Sequence, residues 1–205
     1  MPYAHFYDAL VLRTVDVGEA DRFCILFTRE RGVLAVRARG VRRPQSRMGG
    51  ALLPLCRALV SVKELSSGFL VSAASLLPGG IPPLDPAAFF RAEGGVEVLL
   101  GLLHDEYPLP DLFDATAAFL IRSGDGDHIV LAFTFRVLHL FGVLPAPPEY
   151  PPTLSLQEHA FIQASQYFPL RAVPPLTELG KLRSFCNSIL QEQLRRPLRA
   201  QPVMS

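Results

Sequence analysis

The sequence predicts an α+β protein in which a five-stranded β-barrel is followed by an all-helical domain. Short segments rich in Val, Leu, Ile and Phe occupy the first part of the chain, separated by turn-forming residues. A Gly/Pro-rich segment, LLPGGIPPLDP at residues 76–86, follows them. Beyond this segment the apolar spacing becomes helical. With 205 residues, 49% of them hydrophobic, the chain is long enough to bury a core.

The barrel is predicted from the number and shortness of the strands. Gly18, Gly32 and the SSG turn at residues 66–68 separate them. Closure is favoured over an open sheet because a barrel leaves no exposed strand edge. The predicted strands are Ala9–Val15, Phe23–Thr28, Val33–Arg39, Leu55–Leu65 and Phe69–Ser75.

The helices are predicted from their start and stop signals. Asp85 before Pro86 provides an N-cap and a first-turn proline, and Ser155 with Glu158 forms a capping box. The third helix is stopped by Gly142. The predicted helices run from Pro86 to about His104, from Asp111 to Arg122, from Asp127 to Phe141, from Ser155 onward, and from Thr177 to about Leu194. These predictions place a barrel domain at 1–78 and a helical domain at 79–205.

Two further patterns bear on location and on redox chemistry. The opening MPYAHFYDAL lacks the features of a secretory signal. The apolar run Ile129–Leu144 is shorter than a bilayer span and carries Arg136, so we expect a buried helix in a cytoplasmic protein. The three cysteines are isolated and form no CxxC pair, which predicts buried core residues in a reducing compartment: Cys24, Cys56 and Cys186.

Charge is strongly segregated along the chain although the net charge is only +1. Residues 1–79 carry a net +5, residues 80–180 a net −8 and residues 181–205 a net +4. The positive N-terminal part is where an anionic partner is expected.

The densest positive charge lies in VRARGVRRPQSR at residues 36–47, and residues 31–63 contain no acid. Strand alternation points Arg37 and Arg39 to solvent, while Leu34 and Val36 point into the barrel. The loop beyond adds further arginines, whose forked guanidinium groups suit phosphate oxygens, and Ser46, which offers a neutral hydrogen bond. The predicted nucleic-acid-binding residues are Arg13, Arg37, Arg39, Arg42, Arg43, Ser46 and Arg47.

Three alternatives compete with a DNA-binding role. The arginines could form a solvated face, although mixed signs would serve solubility better. The chain could be a protein-interaction scaffold that uses the acidic helical domain, or an RNA-binding barrel protein. The three phenylalanines of the predicted strands alternate with core positions and are expected in the core rather than as stacking platforms: Phe23, Phe27 and Phe69.

No enzymatic or metal chemistry is predicted. His104, Asp105 and Glu106 are adjacent but lack a nucleophile or ligand spacing. Asp125 and Asp127 provide too few oxygen ligands for calcium, and no GxxxxGK loop occurs. We expect no catalytic residue, no metal and no cofactor.

The order of these motifs resembles the N-terminal domain of the RecO family of bacterial recombination mediators. The family pattern is a strand ending in VLR, a polar GE-D turn, an FT-E-G hairpin, a basic strand, a KSR-like loop and a G-LQPF-like continuation. In this sequence the pattern corresponds to Val11 to Arg13, Gly18 to Asp21, Phe27 to Gly32, Ala38 to Arg43, Gln45 to Arg47, and Gly50 to Leu55. A weaker similarity continues through FTFRVLHLFG at 133–142 to LRRPLRA at 194–200.

The resemblance implies an N-terminal OB-fold and a nucleoid-associated role in recombinational DNA repair. It implies binding of single- and double-stranded DNA, annealing of complementary strands and assistance in loading recombinase. The expected protein partners are RecR and single-stranded DNA-binding protein. Many relatives carry a four-cysteine zinc insertion where this chain has only VLPAPPEYPP, so zinc is not expected here. Leu131 and Ala132 stand where relatives that bind the acidic tail of single-stranded DNA-binding protein have arginine, so the same mode of tail binding is not assumed.

Overall fold

A computed structural model describes residues 4–103 and 107–193. The chain forms two compact units, one made of residues 4–82 and 107–117 and the other of residues 83–103 and 118–193. The boundary predicted between residues 78 and 79 stays a prediction. The predicted end of the first helix, the polar trio at 104–106, the end of the fifth helix and the LRRPLRA segment lie outside the described residues.

The first unit is built on a closed barrel of five strands, as predicted. The strand order around the barrel is β1-β2-β3-β5-β4, and β4 also pairs with β1. Neighbouring strands are antiparallel except for the short parallel pairing of β3 with β5. This is the predicted OB-fold. The strands are β1 (Ala4–Val17), β2 (Asp21–Thr28), β3 (Gly32–Ala38), β4 (Arg57–Leu65) and β5 (Gly68–Leu76).

The barrel interior follows the period-two alternation of the strands. Inward residues such as Val11, Leu26, Val36 and Val60 are fully buried and form one apolar cluster. Apolar side chains therefore fill the barrel, which leaves the charged residues of β3 to the outer surface.

The fourth strand begins two residues later than predicted, because Leu55 has a left-handed backbone conformation with φ +66°. The Leu55 N–H donates to the Val11 carbonyl at 2.8 Å, and the Val11 N–H donates to the Cys56 carbonyl at 2.8 Å. These two bonds lie next to the β-bulge between Val11 and Arg13. They satisfy the backbone N–H and carbonyl of Val11 in β1, using the two residues that precede β4.

A segment distant in sequence packs on the outside of this barrel. The Phe27 and Phe113 rings lie 5.6 Å apart, and the Arg57 guanidinium sits 5.5 Å from the Phe113 ring centre. Arg57 is also paired with Asp8, with 2.5 Å between Nη2 and Oδ2. Residues 107–117 thus cover one side of the barrel.

The second unit is all-helical within the described residues, and it contains the predicted helices. They are α1 (Pro86–Leu102), the end of α2 (Pro110–Arg122), α3 (Asp127–Leu140), α4 (Leu156–Tyr167) and α5 (Gly180–Gln193). Both predicted N-terminal signals are present. Asp85 accepts from the Ala88 N–H at 2.8 Å, and Ser155 and Glu158 form a reciprocal capping box.

The last helix begins at Gly180 rather than at Thr177. The Arg183 N–H donates to the Leu179 carbonyl at 2.8 Å, which is the first helical bond. The helix therefore starts from Leu179, two residues after the predicted start at Thr177.

The central helix of this unit is α3, which the sequence predicts as a buried apolar helix. Leu131, Ala132, Phe133 and Phe135 are fully or almost fully buried. None of the helices in residues 4–103 and 107–193 combines the length and apolar character needed to span a bilayer.

Candidate nucleic-acid interface

The outer face of β1, β2 and β3 gathers predicted binding residues from two strands. In the strand register, Arg13 lies opposite Ile25, and Phe23 lies between Val15 on one side and Arg37 on the other. These side chains share one face because they are separated by even numbers of residues and alternate with inward residues. Arg13, although it precedes Arg37 by 24 positions, is therefore on the same surface.

Arg37 is held in place by an acid at the start of β2. Its Nε and Nη2 both donate to Asp21 Oδ2, at 3.0 and 2.7 Å. The other Asp21 oxygen accepts the Gly40 N–H at 2.8 Å. The Gly40 hydrogen bond, and after it the Arg37 hydrogen bond, lower the pKa of Asp21 below its usual value.

A second carboxylate, near the end of β1, holds Arg42. Asp16 Oδ2 lies 3.2 Å from the Arg42 Nε, and Asp16 Oδ1 accepts from the Arg22 Nε at 2.8 Å. Arg42 also donates through Nη1 to the Gly18 carbonyl at 3.0 Å. The Arg22 hydrogen bond is the main cause that lowers the pKa of Asp16. The predicted binding residues Arg37 and Arg42 are thus engaged in ion pairs within the first unit.

Residues 39–50, which we call the arginine loop, are anchored to the barrel. Val41 is buried and Met48 packs against the barrel core. The Arg42 N–H donates to the Ala20 carbonyl at 2.9 Å, and internal turns include the bond from the Ser46 N–H to the Arg43 carbonyl at 2.9 Å. The loop therefore presents its exposed side chains from a defined backbone.

Three arginines of this loop face solvent. Across the two described ranges, the side chains of Arg39, Arg43 and Arg47 make no hydrogen bond or ion pair, and each is exposed. Three unengaged guanidinium groups on one anchored loop are suited to bind successive phosphates.

Ser46 behaves differently from these three arginines. It is half-buried, and its hydroxyl oxygen accepts the Met48 N–H at 3.3 Å. Its geometry indicates a role in the shape of the loop, and its hydroxyl hydrogen remains available to a ligand.

The expectation that all three phenylalanines lie in the barrel core is wrong for Phe23. Phe23 is 37% exposed on the outer face of β2. Phe27 is buried, but against Phe113 outside the barrel, and Phe69 is half-buried against the core. The signal that sequence reasoning missed is the parity of β2, because Phe23 shares a face with polar Asp21 rather than with Cys24 and Leu26.

The acidic partners of Arg37 and Arg42 were also missed. Both precede the arginine stretch by about 20 residues, and the pairing of β1, β2 and β3 brings them beside it. Acids therefore lie within this arginine-rich surface, with Asp21 paired to Arg37 and Asp16 paired to both Arg42 and Arg22. The net charge of the surface is positive, but acids neutralise part of it.

All three cysteines are free and buried, as predicted, and burial raises the pKa of the Cys24 thiol to about 11. Within residues 4–103 and 107–193, no three His, Cys, Asp or Glu side chains cluster so as to hold a metal ion.

Comparison with known proteins agrees with the fold and with the motif order. The family described as "Recombination protein O N terminal" matches residues 3–74. The "DNA repair protein RecO" of Myxococcus xanthus (strain DK1622) is 34% identical over 143 residues, which cover 67% of this chain and 59% of that protein. The proteins of the same name from Anaeromyxobacter sp. (strain K) and Heliobacterium modesticaldum are 34% and 32% identical over 142 and 139 residues.

These alignments cover 66% and 67% of this chain and 56% and 51% of the two latter proteins. The chain spans a little over half the length of the relatives it matches. The matched region contains the barrel and the arginine loop. The chain belongs to the RecO family.

Proposed function

We propose that this chain is a DNA-binding protein of recombinational DNA repair. It binds single- and double-stranded DNA on the outer face of β1 to β3 and on the arginine loop. It has no catalytic step of its own and needs no cofactor for binding. Membership of the RecO family supports this proposal, as do the relatives named "DNA repair protein RecO".

The observation that carries the proposal is the exposure of Arg39, Arg43 and Arg47 on an anchored loop. A mobile loop would lose conformational entropy on binding, whereas the bonds and buried residues of this loop already fix its backbone. Arginine binds phosphate bidentately, and neutralised phosphates release condensed counterions, which favours binding at low salt.

Arg37 and Arg42 have a different role in this proposal. Each is already paired with a carboxylate, so a phosphate would have to compete with Asp21 or Asp16. They position the loop and the turn relative to each other, while the three unengaged arginines contact the DNA backbone. Arg13 adds positive charge to the same face.

Strand annealing follows from the same chemistry. Two single strands repel each other, and bound arginines reduce that repulsion long enough for base pairs to nucleate. We propose that the chain anneals complementary strands and assists recombinase loading, with RecR and single-stranded DNA-binding protein as its protein partners. Leu131 and Ala132 are buried in α3, so any tail-binding site must use other residues.

The test is the affinity for a fluorescein-labelled oligonucleotide, measured by fluorescence anisotropy. Replacing Arg39, Arg43 and Arg47 together by alanine should weaken single-strand binding roughly a hundredfold at about 0.1 M salt, since three phosphate contacts are lost. Each single replacement, such as Arg43→Ala, should cost about fivefold. Arg171→Ala is the matched control, because it removes one exposed arginine from the helical unit.

Unchanged affinity of the triple variant would overturn the proposal. Preference for an RNA strand over a DNA strand of the same sequence would instead support an RNA-binding barrel. Absence of binding to any nucleic acid at low salt would support the scaffold alternative.

A further inference from the structure

An exposed phenylalanine lies at the centre of the basic face. Phe23 is 37% exposed and its neighbour on β1, Val15, is 55% exposed. Exposing apolar surface costs about 25 cal/mol for each Å². Single exposed apolar residues are common, but this aromatic ring has the charged Arg37 beside it on β3 and Asp21 two residues before it on the same face.

The ring is bordered by a fixed ion pair. Arg37 is directly opposite Phe23 on β3, where Cβ atoms of paired residues lie about 5 Å apart. Asp21, two residues before Phe23 on the same face, holds the Arg37 guanidinium through two hydrogen bonds. The ring edge toward β3 therefore borders a charged pair, and the ring side toward β1 borders Val15.

The other two phenylalanines of this part of the barrel have partners. Phe27 packs against Phe113, and the Arg31 guanidinium lies 4.7 Å from the centre of the Phe69 ring. Among the residues that the structure describes, no aromatic ring and no cation lies over Phe23. Its exposed surface is available to a planar ligand.

We propose that Phe23 is a stacking platform for one nucleobase of single-stranded DNA, while Arg39, Arg43 and Arg47 bind the phosphates on either side. This inference rests on the proposed function and adds that the chain prefers single-stranded DNA to duplex DNA. Bases of a duplex are already stacked on their neighbours, so a duplex contacts the arginines but not the ring. Stacking on an aromatic side chain is tolerant of base identity because every base has a π-face.

The size and the charge of the surroundings favour a base over a protein side chain. The exposed apolar residues of this face are Phe23, Val15 and Val17, with half-buried Ile25 next to them and the Arg37–Asp21 ion pair at their border. A stable protein interface is far larger and buries about 800 Å² on each partner. A single planar group attached to a polyanion fits a small apolar spot inside a positive surface.

The sequence permits a direct optical test, because the chain contains no tryptophan. Phe23→Trp introduces a single fluorophore at the platform. Phe6→Trp is the matched control, since Phe6 is an exposed phenylalanine of β1 that pairs with Ser61 of β4, away from the arginine loop. Oligothymidine should quench and shift the emission of F23W, and leave that of F6W unchanged.

An oligonucleotide of the same length with abasic sites throughout keeps the phosphates and lacks the bases. It should bind F23W without quenching its emission. Phe23→Ala and Phe23→Leu should both fold, because the residue is exposed. Each should weaken oligothymidine binding by about tenfold, with duplex and abasic affinities unchanged. Leucine keeps apolar volume without the ring, so equal losses in the two variants identify stacking.

The outcomes separate this inference from the function beneath it. If the triple arginine variant loses affinity while F23W emission is not quenched and F23A binds as the unaltered chain does, the stacking platform is wrong and the DNA-binding function stands. Equal losses of duplex and single-strand affinity in F23A would also overturn the platform. If the unaltered chain binds no DNA, both are overturned.

Discussion

Arg37 and Asp21 form a two-donor ion pair in which Nε and Nη2 of the arginine share one carboxylate oxygen, at 3.0 and 2.7 Å. The second oxygen of Asp21 accepts the Gly40 N–H at the start of the arginine loop. One acid at the start of β2 therefore fixes both an arginine of β3 and the loop that follows it. The surface that the sequence presents as a run of positive charge is a framework of paired charges with three exposed arginines on it.

The first prediction concerns that carboxylate. Asp21→Asn removes one negative charge and weakens the hold on Arg37, so Arg37 becomes available to phosphate. Single-strand affinity at low salt should rise a fewfold, and the salt dependence should steepen by about one phosphate contact, roughly 0.7 in log–log slope. Anisotropy titrations at several salt concentrations measure both. A decrease in affinity would show that the fixed loop, rather than free charge, limits binding.

The second prediction is a loss of stability in acid. The pKa values of Asp16 and Asp21 are lowered in the folded chain, mainly by the Arg22 side chain and the Gly40 N–H respectively. The unfolded chain therefore binds protons more readily than the folded chain, and stability falls as the pH drops below about 4. The stabilising contribution of the Asp16 and Asp21 carboxylates is fully present above that pH.

Urea unfolding at pH 5 and pH 3 tests this prediction. The double variant Asp16→Asn and Asp21→Asn should be less stable at pH 5 and should lose less stability on going to pH 3 than the unaltered chain does. Asp111→Asn, at an exposed position, should keep the full pH response. An identical pH response in the double variant would contradict the assignment.

The third prediction concerns Arg136, which lies in the apolar helix α3. It donates to the Ser165 carbonyl at 2.6 Å and to the Phe168 carbonyl, both at the C-terminal end of α4. Arg136→Met keeps much of the side-chain volume but leaves these carbonyls without their donor and removes a cation from the negative end of the helix. Unfolding free energy should fall by about 1–3 kcal/mol, measured by urea titration, with DNA affinity unchanged. Unaltered stability would contradict this role.

The fourth prediction concerns Gly95, inside α1. A Cβ there would overlap Cε1 and Cζ of Phe119, whose ring stacks on Phe133 at 4.2 Å. Gly95→Ala should therefore destabilise the helical unit by about 1–3 kcal/mol, although alanine is favoured over glycine in a helix by about 1 kcal/mol. Gly180→Ala, where nothing lies within 4 Å of the new methyl group, is the control and should be neutral or stabilising. Thermal unfolding distinguishes the two, and equal midpoints would contradict the account of Gly95.

Much of the fold follows from local patterns. Alternating apolar residues identify the five strands, and the capping signals at Asp85 and Ser155 identify the starts of two helices, because each depends on residues a few positions apart. The packing of residues 107–117 on the barrel depends on contacts such as Phe27 with Phe113, separated by 86 positions, which no local pattern records.

Local patterns likewise predict only part of the candidate site. Residue type and alternation identify the arginines of β3 and its loop. Their acidic partners, Asp16 and Asp21, lie in β1 and β2. Acids that are distant in sequence are therefore close in space. Alternation with core positions predicts a core role for Phe23, whereas the register with Val15 and Arg37 places it outside.

The central claim is that Arg39, Arg43 and Arg47 bind the phosphates of single-stranded DNA. Its most direct measurement is the slope of log affinity against log salt concentration for the unaltered chain and for the variant with all three replaced by alanine. Single strands contribute about 0.7 to the slope for each phosphate neutralised, so the magnitude of the slope should fall by roughly 2 in the variant. The same slope in both proteins would contradict the claim.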